Sequence, residues 1–112
     1  KELKPDITPS KEALKIRQVI AKGDHVIAMD EHGMDITTLH MSKTMANWRL
    51  LGKNIALIIG GANGLDQSIL QMANEIWRLS SLTLPHAMAR LLLIEQLYRS
   101  YTILENHPYH RE

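Results

Sequence analysis

The chain has 112 residues, of which 45% are hydrophobic and 22% are charged, and its formal net charge is +1. This length and mixture are typical of one globular domain over residues 1–112, and a charge so close to zero neither supports nor excludes an RNA partner. The absence of cysteine excludes disulfides and thiolate metal sites, and because no apolar run approaches the ~18 residues of a membrane span, we expect a cytoplasmic protein.

The first half of the chain predicts two helices with a strand between them. Ser10–Ala21 carries apolar residues on roughly one face, with Ser10 placed as N-cap and Gly23 after the end, and predicts an amphipathic helix. His25–Met29 is a short apolar run that suits a buried parallel strand. Apolar residues then return at helical spacing, which predicts a second helix over Thr38–Leu51.

A second strand leads directly into a glycine-rich turn. Asn54–Ile59 is unbroken hydrophobic sequence, Gly60–Gly64 follows it, and a helix begins near Asp66 and continues until the sequence changes character after Ile76. This alternation indicates an α/β fold with a mostly parallel sheet flanked by helices. Glycines at the end of a strand suit a tight turn better than cofactor contact, and they match neither a dinucleotide fingerprint nor a P-loop.

The last third predicts a loop and a long helix. Arg78–Leu84 resembles a loop with a very short strand, and because it has few reactive side chains, any ligand contact would come from its backbone; a plain buried loop is the simpler interpretation. Pro85–Leu104 predicts a helix that starts at Pro85 and is apolar on nearly every side. A domain this small can hardly cover such a helix, so we expect part of its surface to meet a second subunit.

Several polar groups near the C-terminus have two interpretations. His107 and His110 could form a metal pair, but Pro108 separates them and no third ligand is evident, so we predict no metal site. The tail that holds them could be solvated, or its rings could stack on bases and exchange protons. Arg90 and Arg99 could pair with glutamates of the same helix, Glu95 and Glu105, or bind phosphate in a cleft. His86, at the start of the helix, could be a helix cap.

Four motifs follow one another along the second half of the chain: Leu57-Ile-Ile-Gly-Gly-x-x-Gly-Leu65, Leu79-Ser-x-Leu-Thr-Leu-Pro-His86, Glu95-Gln-Leu-Tyr-Arg99 and Asn106-His-Pro-Tyr-His-Arg-Glu112. Taken together they resemble the ribosomal RNA large subunit methyltransferase H family, which belongs to the SPOUT class. The resemblance runs from about Ser10 to the C-terminus, with the motifs in the right order and with the right gaps.

The resemblance implies both an activity and a fold. The implied reaction is methylation of N3 of a pseudouridine in bacterial 23S ribosomal RNA, with S-adenosyl-L-methionine as cofactor, by a homodimer that acts on ribosomal RNA or the ribosome. The implied fold is a SPOUT-type α/β domain with a C-terminal trefoil knot, which is an exception to the rarity of knots.

The resemblance also implies roles for particular residues. It places the cofactor in the knot and assigns removal of the N3 proton to a side chain near the base, with the tail of one subunit completing the site of the other. The implied proton-handling residues are His110 first, Tyr109 second, and His86 beside the cofactor; the implied phosphate ligands are Arg90, Arg99 and Arg111; the implied cofactor contacts are Met29, Gly60, Leu79, Ser80, Ser81, Leu82, Thr83 and Leu84.

Two departures from the family keep alternatives open. The family has a strand, a helix and a strand before the Ser10 helix, so we expect its N-terminal strands to be missing here, with Lys1–Thr8 as the end of one of them. Met34 stands where relatives often carry a basic residue, and we expect a modest effect on the loop or on RNA contact. The alternatives are a non-catalytic RNA-binding module that retains the fold, and another nucleotide-binding α/β enzyme that uses Gly60 and Gly61 for phosphate.

Overall fold

The computed structural model describes residues 9–60 and 64–110 of the chain. The expected strand remnant Lys1–Thr8, the middle of the glycine-rich turn and Arg111 lie outside these residues. Helices and strands alternate along the described part in the order α1 (Pro9–Val19), β1 (His25–Asp35), α2 (Thr38–Leu51), β2 (Ile55–Ile59), α3 (Gln67–Met72), β3 (Glu75–Arg78) and α4 (His86–Leu104).

The three strands form one parallel sheet in the order β2-β1-β3. β1 is the central strand; its His25 lies opposite Ile55 of β2, and its Ile27 lies opposite Glu75 of β3. Because all three strands run in the same direction, their carboxyl ends meet at one edge of the sheet. The predicted α/β architecture with a parallel sheet is therefore confirmed.

The central strand is longer than predicted. Met29 and Met34 both lie opposite Trp77, so the chain between them bulges out before β1 resumes pairing with β3. Gly33 permits this return, because a Cβ atom there would lie 2.8 Å from backbone atoms of Ile76 and Trp77. The bulge therefore projects Asp30, Glu31 and His32 from the carboxyl-end edge of the sheet.

Side chains alternate across the sheet and build a core on each face. On one face, α1 and α3 contribute to a cluster of Ala13, Ile16, Val26, Ile58 and Ile69. On the other face, α2 and α4 contribute to a cluster of Ile27, Met29, Met41, Trp77 and Leu93. The sheet is thus the middle layer between two layers of helices.

The third strand lies earlier than predicted, at Glu75–Arg78 and not within Arg78–Leu84. α3 ends at Met72, well before Ile76, and Asn74 then docks the chain on β1: its backbone N–H donates to the Val26 carbonyl, and its side-chain oxygen accepts from the Val26 N–H, both at 2.8 Å. Three residues later Trp77 is fully buried and stacks on Trp48 of α2, with ring centroids 6.0 Å apart. Tertiary contacts, rather than the local sequence pattern, therefore determine that this segment is a strand.

The last helix is covered on one side. Pro85 is its N-cap, with extended backbone, and not the first helical residue as predicted. α4 packs on α2, where the hydroxyl of Ser42 donates to the carbonyl of Ser100 and the hydroxyl of Ser100 donates to the carbonyl of Thr38. A second side is exposed and apolar at spacings of three and four residues, through Met88, Leu91, Ile94, Tyr98 and Tyr101. None of the described helices is long and apolar enough to cross a membrane.

Candidate functional site

A cavity of about 810 Å³ lies at the carboxyl-end edge of the sheet. Its wall includes Met29, Asp30 and Glu31 of β1, the last residues of β2 and β3, the loop that follows β3, and the first turn of α4. Ligands of open parallel sheets bind at this edge, and the volume suits a small molecule. The predicted cofactor contacts that line this strand-end cavity are Met29, Gly60, Leu79, Ser80, Leu82, Thr83 and Leu84, whereas Ser81 is not part of its wall.

The loop Leu79–Leu84 presents backbone and apolar surface to the cavity. The hydroxyl of Ser80 accepts a hydrogen bond from the backbone N–H of Leu82 at 2.9 Å, which fixes the turn within the loop. The side chain of Leu82 is 74% exposed, so it stands at the cavity mouth and not in the core. An apolar side chain in that position suits contact with a flat ring.

The turn after β2 requires glycine on steric grounds. A Cβ atom at Gly60 would lie 2.7 Å from the backbone carbon of Gly64, and Gly64 itself has a φ of +77°. The tight-turn interpretation of these glycines is therefore correct for both positions. The same turn also forms part of the cavity wall, so the steric requirement and ligand contact are compatible.

His86 is held by this turn. Its Nδ1 lies 2.8 Å from the carbonyl oxygen of Gly60. Because a carbonyl can only accept, Nδ1 carries the proton of this bond, and Nε2 is the ring nitrogen left for contact with a ligand. His86 is therefore not a helix cap, since its ring bonds to the turn after β2 and lines the cavity.

Two carboxylates of the cavity wall were missed by the sequence reasoning. Asp30 and Glu31 belong to the β1 bulge and line the cavity. Asp30 is held in place because its Oδ2 accepts from the backbone N–H of His32 at 3.0 Å. Their position directly after a buried parallel strand was the available signal, because such positions lie at the ligand-binding edge.

A salt bridge closes one side of the cavity. Arg78, at the end of β3, lines the cavity and donates from Nε to Asp35, at the end of β1. The hydrogen bond from Arg78 lowers the pKa of Asp35, and the same bond raises the pKa of Arg78. The charge of Arg78 is therefore paired, while Asp30 and Glu31 leave the cavity wall acidic.

The C-terminal tail folds back on α4. Asn106 adopts a left-handed backbone with φ of 56°, and the N–H of His107 donates to the carbonyl of Thr102 at 2.7 Å, so the chain reverses. Tyr109 then meets the edge of the Tyr98 ring at a centroid distance of 4.8 Å. The guanidinium carbon of Arg99 lies 4.9 Å from the centre of the Tyr109 ring.

Polar contacts complete this tail cluster of Glu95, Arg99, Tyr109 and His110. Arg99 Nε lies 3.2 Å from both carboxylate oxygens of Glu95, which agrees with the first of the two interpretations of Arg99, whereas Glu105 pairs with Arg49 of α2. The hydroxyl of Tyr109 donates to Glu95 at 3.1 Å, and Arg99 Nη1 donates to Nδ1 of His110 at 3.2 Å.

Hydrogen bonds within the tail cluster shift the pKa values of Tyr109 and Glu95. Its hydrogen bond to Glu95 raises the pKa of Tyr109, and the hydrogen bond from Arg99 lowers the pKa of Glu95. Tyr109 is therefore a hydrogen-bond donor in this arrangement, and a phenol that holds its proton is a poor base. Nδ1 of His110 accepts from Arg99, so its other ring nitrogen, Nε2, carries the proton and can donate to a further partner.

The predicted proton-handling residues do not meet within one chain. His86 begins α4, whereas Arg99, which binds His110, follows it by 13 positions. At 1.5 Å per helical residue, His86 and Arg99 lie about 20 Å apart along the axis of α4. Arg90 lies between them on an exposed part of the helix. One chain therefore has two separate functional clusters, the strand-end cavity and the tail cluster.

Comparison with known proteins identifies the family of the chain. A family model described as a predicted SPOUT methyltransferase matches residues 1–110. The chain belongs to the SPOUT methyltransferase family. Membership confirms the resemblance seen in the motifs, supports a methyltransferase over the two alternatives, and implies a methyl-donor cofactor. Among residues 9–60 and 64–110, no group of three or more histidines and carboxylates is placed to hold a metal ion.

Curated members of this SPOUT family are similar to the chain over nearly its whole length. A ribosomal RNA large subunit methyltransferase H of Polynucleobacter asymbioticus is 62% identical over 112 residues, which cover 100% of the chain and 76% of the relative. The protein of the same name from Polynucleobacter necessarius is 61% identical, with 100% and 83% covered. The one from Dechloromonas aromatica is 50% identical over 119 residues, with 99% and 76% covered.

Proposed function

We propose that the chain methylates N3 of a pseudouridine in bacterial 23S ribosomal RNA and uses S-adenosyl-L-methionine as the methyl donor. The observation that carries this proposal is the strand-end cavity, in which a backbone-rich loop, an acidic bulge and the fixed ring of His86 converge. The shared name of the similar proteins, ribosomal RNA large subunit methyltransferase H, supports large-subunit RNA as the substrate.

The residues of the cavity fit this cofactor. Its volume lies within the usual range of roughly 300–1,000 Å³ for small-molecule sites, and Leu79–Leu84 would hold the adenine through backbone groups and apolar side chains. Asp30 and Glu31 would attract the sulfonium and the ammonium, since opposite charges strengthen binding in a partly enclosed site. When bound, S-adenosyl-L-methionine supplies a methyl group that the sulfonium already activates.

The chain itself must orient the base and take up the N3 proton. His110 is our first choice as proton acceptor; its Nδ1, which accepts from Arg99 here, would become available when Arg99 turns to a phosphate of the RNA. Tyr109, whose hydroxyl proton is held by Glu95, would place its ring against the base instead of accepting its proton. His86 would act next to the cofactor, because its bond to Gly60 leaves Nε2 available to accept. Arg90, Arg99 and Arg111 would hold phosphates of the RNA.

A second copy would bring the two clusters together. Two α4 helices that pair antiparallel about a two-fold axis would place the C-terminal end of one beside the N-terminal end of the other. The tail of one subunit would then lie next to the cavity of its partner. Within one chain the tail and the cavity are about 20 Å apart. The exposed apolar face of α4, which includes Leu91 and Ile94, supports this homodimer.

The proposal includes the trefoil knot of the SPOUT class. The turn after β2 and the loop after β3 line the same cavity, and the bond from His86 to Gly60 ties the start of α4 to that turn. Close contact between these three segments is what threading of the C-terminal part would need. A knot here would make the cofactor cavity a product of chain threading and not of loop flexibility.

The test is transfer of labelled methyl from S-adenosyl-L-methionine to ribosomes that lack this modification. We expect label in 23S RNA at one pseudouridine, found by nuclease digestion and mass spectrometry, and no label on ribosomes that already carry the methyl group. Cofactor binding without transfer to any ribosomal substrate would favour the RNA-binding module instead. A parallel titration of the chain with a mononucleotide would test the nucleotide-binding alternative.

A further inference from the structure

Glu95 is the hub of the tail cluster. Its two carboxylate oxygens accept from Arg99 Nε at 3.2 Å each, and its Oε2 also accepts from the hydroxyl of Tyr109 at 3.1 Å. Gln96 donates to Oε1 at 2.9 Å. Three different side chains, one of them from the tail, therefore depend on one carboxylate.

The hub is fixed to the body of the protein. Gln96 also accepts from the hydroxyl of Thr38, in the first turn of α2. This amide therefore connects Glu95 to the α2–α4 interface, where Ser100 and Ser42 are buried and hydrogen-bonded. A carboxylate held in this way is a rigid reference point for the tail.

Glu95 contacts the tail in two ways. It binds the hydroxyl of Tyr109 directly. It also binds Arg99, whose guanidinium lies over the Tyr109 ring and whose Nη1 donates to His110. Charge-assisted bonds to a carboxylate are stronger and more directional than neutral ones, so the negative charge of Glu95 strengthens both of its hydrogen bonds.

We propose that Glu95 is a positioning residue for methyl transfer: it sets the place of Tyr109 and His110 on α4 and touches neither the cofactor nor the base. It lies nine residues from His86, about 13 Å along the helix, and is not part of the strand-end cavity. This inference rests on the proposed function, because the tail has to act on the RNA.

The test compares Glu95→Gln with Glu105→Gln in the full chain. Both changes remove one carboxylate charge from an ion pair at α4, but Glu105 pairs with Arg49 outside the tail cluster. We expect Glu95→Gln to lower kcat for ribosome methylation about tenfold, which is ~1.4 kcal/mol. Its Kd for S-adenosyl-L-methionine and its Tm should match those of Glu105→Gln, and Glu105→Gln should keep the wild-type kcat.

A tail-specific signal accompanies the kinetics. In Glu95→Gln the amide of His107 and the ring of Tyr109 should exchange and reorient faster by NMR, whereas Glu105→Gln should leave them unchanged. Equal kcat for wild type and Glu95→Gln, or equal losses in both variants, would overturn the positioning role. Absence of transfer by the wild-type chain would instead contradict the proposed function itself.

A second pair of variants tests whether Glu95 acts through the tail. Glu95→Ala and Tyr109→Phe each break the bond between these residues, and Tyr109→Phe keeps the ring against Tyr98. If Glu95 acts through the tail, the double variant should lose no more kcat than Glu95→Ala alone. Losses that multiply would show that Glu95 acts elsewhere and would overturn the inference.

Discussion

His86 donates a hydrogen bond from Nδ1 to the carbonyl oxygen of Gly60 at 2.8 Å, and so joins the start of α4 to the turn after β2. Both residues line the strand-end cavity. The bond makes the shape of the glycine turn and the orientation of the imidazole depend on each other. A change in the turn would therefore disturb cofactor binding and His86 together.

Substitution of Gly60 tests this dependence. Gly60→Ala would place a Cβ atom 2.7 Å from the Gly64 backbone, so the turn must shift, at a cost of about 1–3 kcal/mol in the free energy of unfolding. We expect calorimetry to give a lower Tm and at least a tenfold weaker Kd for S-adenosyl-L-methionine.

Gly52→Ala is the matched control for the glycine turn. Gly52 ends α2 with a φ of +65° and nothing within 4 Å of its Cβ position, so alanine there is strained but remote from the cavity. This variant should lose ~1 kcal/mol of stability and keep the wild-type Kd. Cofactor affinity that falls equally in both variants would mean that general destabilisation, and not the turn, decides it.

The acidic wall predicts preference for a cationic cofactor. Asp30 and Glu31 line the cavity proposed to hold S-adenosyl-L-methionine, whose demethylated product keeps the ammonium but lacks the sulfonium charge. Asp30→Asn and Glu31→Gln should each weaken binding of the cofactor several-fold more than binding of the product, because the cofactor carries an additional charge that loses an attraction. Isothermal titration with both ligands measures this, and Glu105→Gln, remote from the cavity, controls for net charge. Equal weakening of both ligands would contradict the prediction.

The tail cluster predicts a wide pH range over which the tail stays anchored. Arg99 lowers the pKa of Glu95 below 4.5. The contribution of this ion pair to holding the tail is therefore fully present above pH 4.5 and is lost as the pH falls through the lowered value. Glu95 raises the pKa of Tyr109 above 10.0, so the contribution of the hydrogen bond between them is fully present below pH 10.0 and is lost as the pH rises through the raised value. Amide exchange of His107, corrected for intrinsic rates, should stay slow between these limits. Release of the tail near neutral pH would contradict the assignment.

The sequence predicted the long regular elements well. α2, β2 and α4 lie within one residue of their predicted bounds, because long periodic runs and an unbroken apolar strand are strong local signals. The position of β3 was predicted wrongly, within Arg78–Leu84, since four residues are too few to show alternation and burial of Trp77 depends on β1 and Trp48.

The site was predictable only where motifs carried it. The family resemblance pointed to the loop Leu79–Leu84, most of which lines the cavity, but Asp30 and Glu31 reach the cavity through the bulge between Met29 and Met34, which both lie opposite Trp77. The place of Tyr109 against Glu95 depends on the left-handed backbone of Asn106, which asparagine permits but does not require. Pairings between distant residues, and not local propensity, fix both features.

The exposed face of α4 predicts an oligomer that one charge should disrupt. Leu91 is 69% exposed in one chain, and Leu91→Glu would place a carboxylate in the proposed α4 interface, where an unpaired charge is costly. We expect this variant to be monomeric by light scattering and inactive in methyl transfer. Leu50→Glu is the control, since Leu50 is 86% exposed on α2 and should leave the mass of the wild-type particle unchanged. A dimer in both variants would place the interface elsewhere.

Complementation between two inactive chains tests whether the tail acts on the partner cavity. A chain that ends at Asn106 keeps His86 and the strand-end cavity but lacks Tyr109 and His110, so it should bind S-adenosyl-L-methionine and transfer no methyl group. His86→Ala has the opposite defect. In a mixed dimer, the intact tail of the His86→Ala chain would meet the intact cavity of the shortened chain, and one complete site would form. We expect each variant alone to be inactive and an equimolar mixture, refolded together, to approach a quarter of wild-type activity, because half of the dimers are mixed and each has one site. No recovery in a mixture shown by mass spectrometry to contain mixed dimers would mean that the tail acts within its own chain.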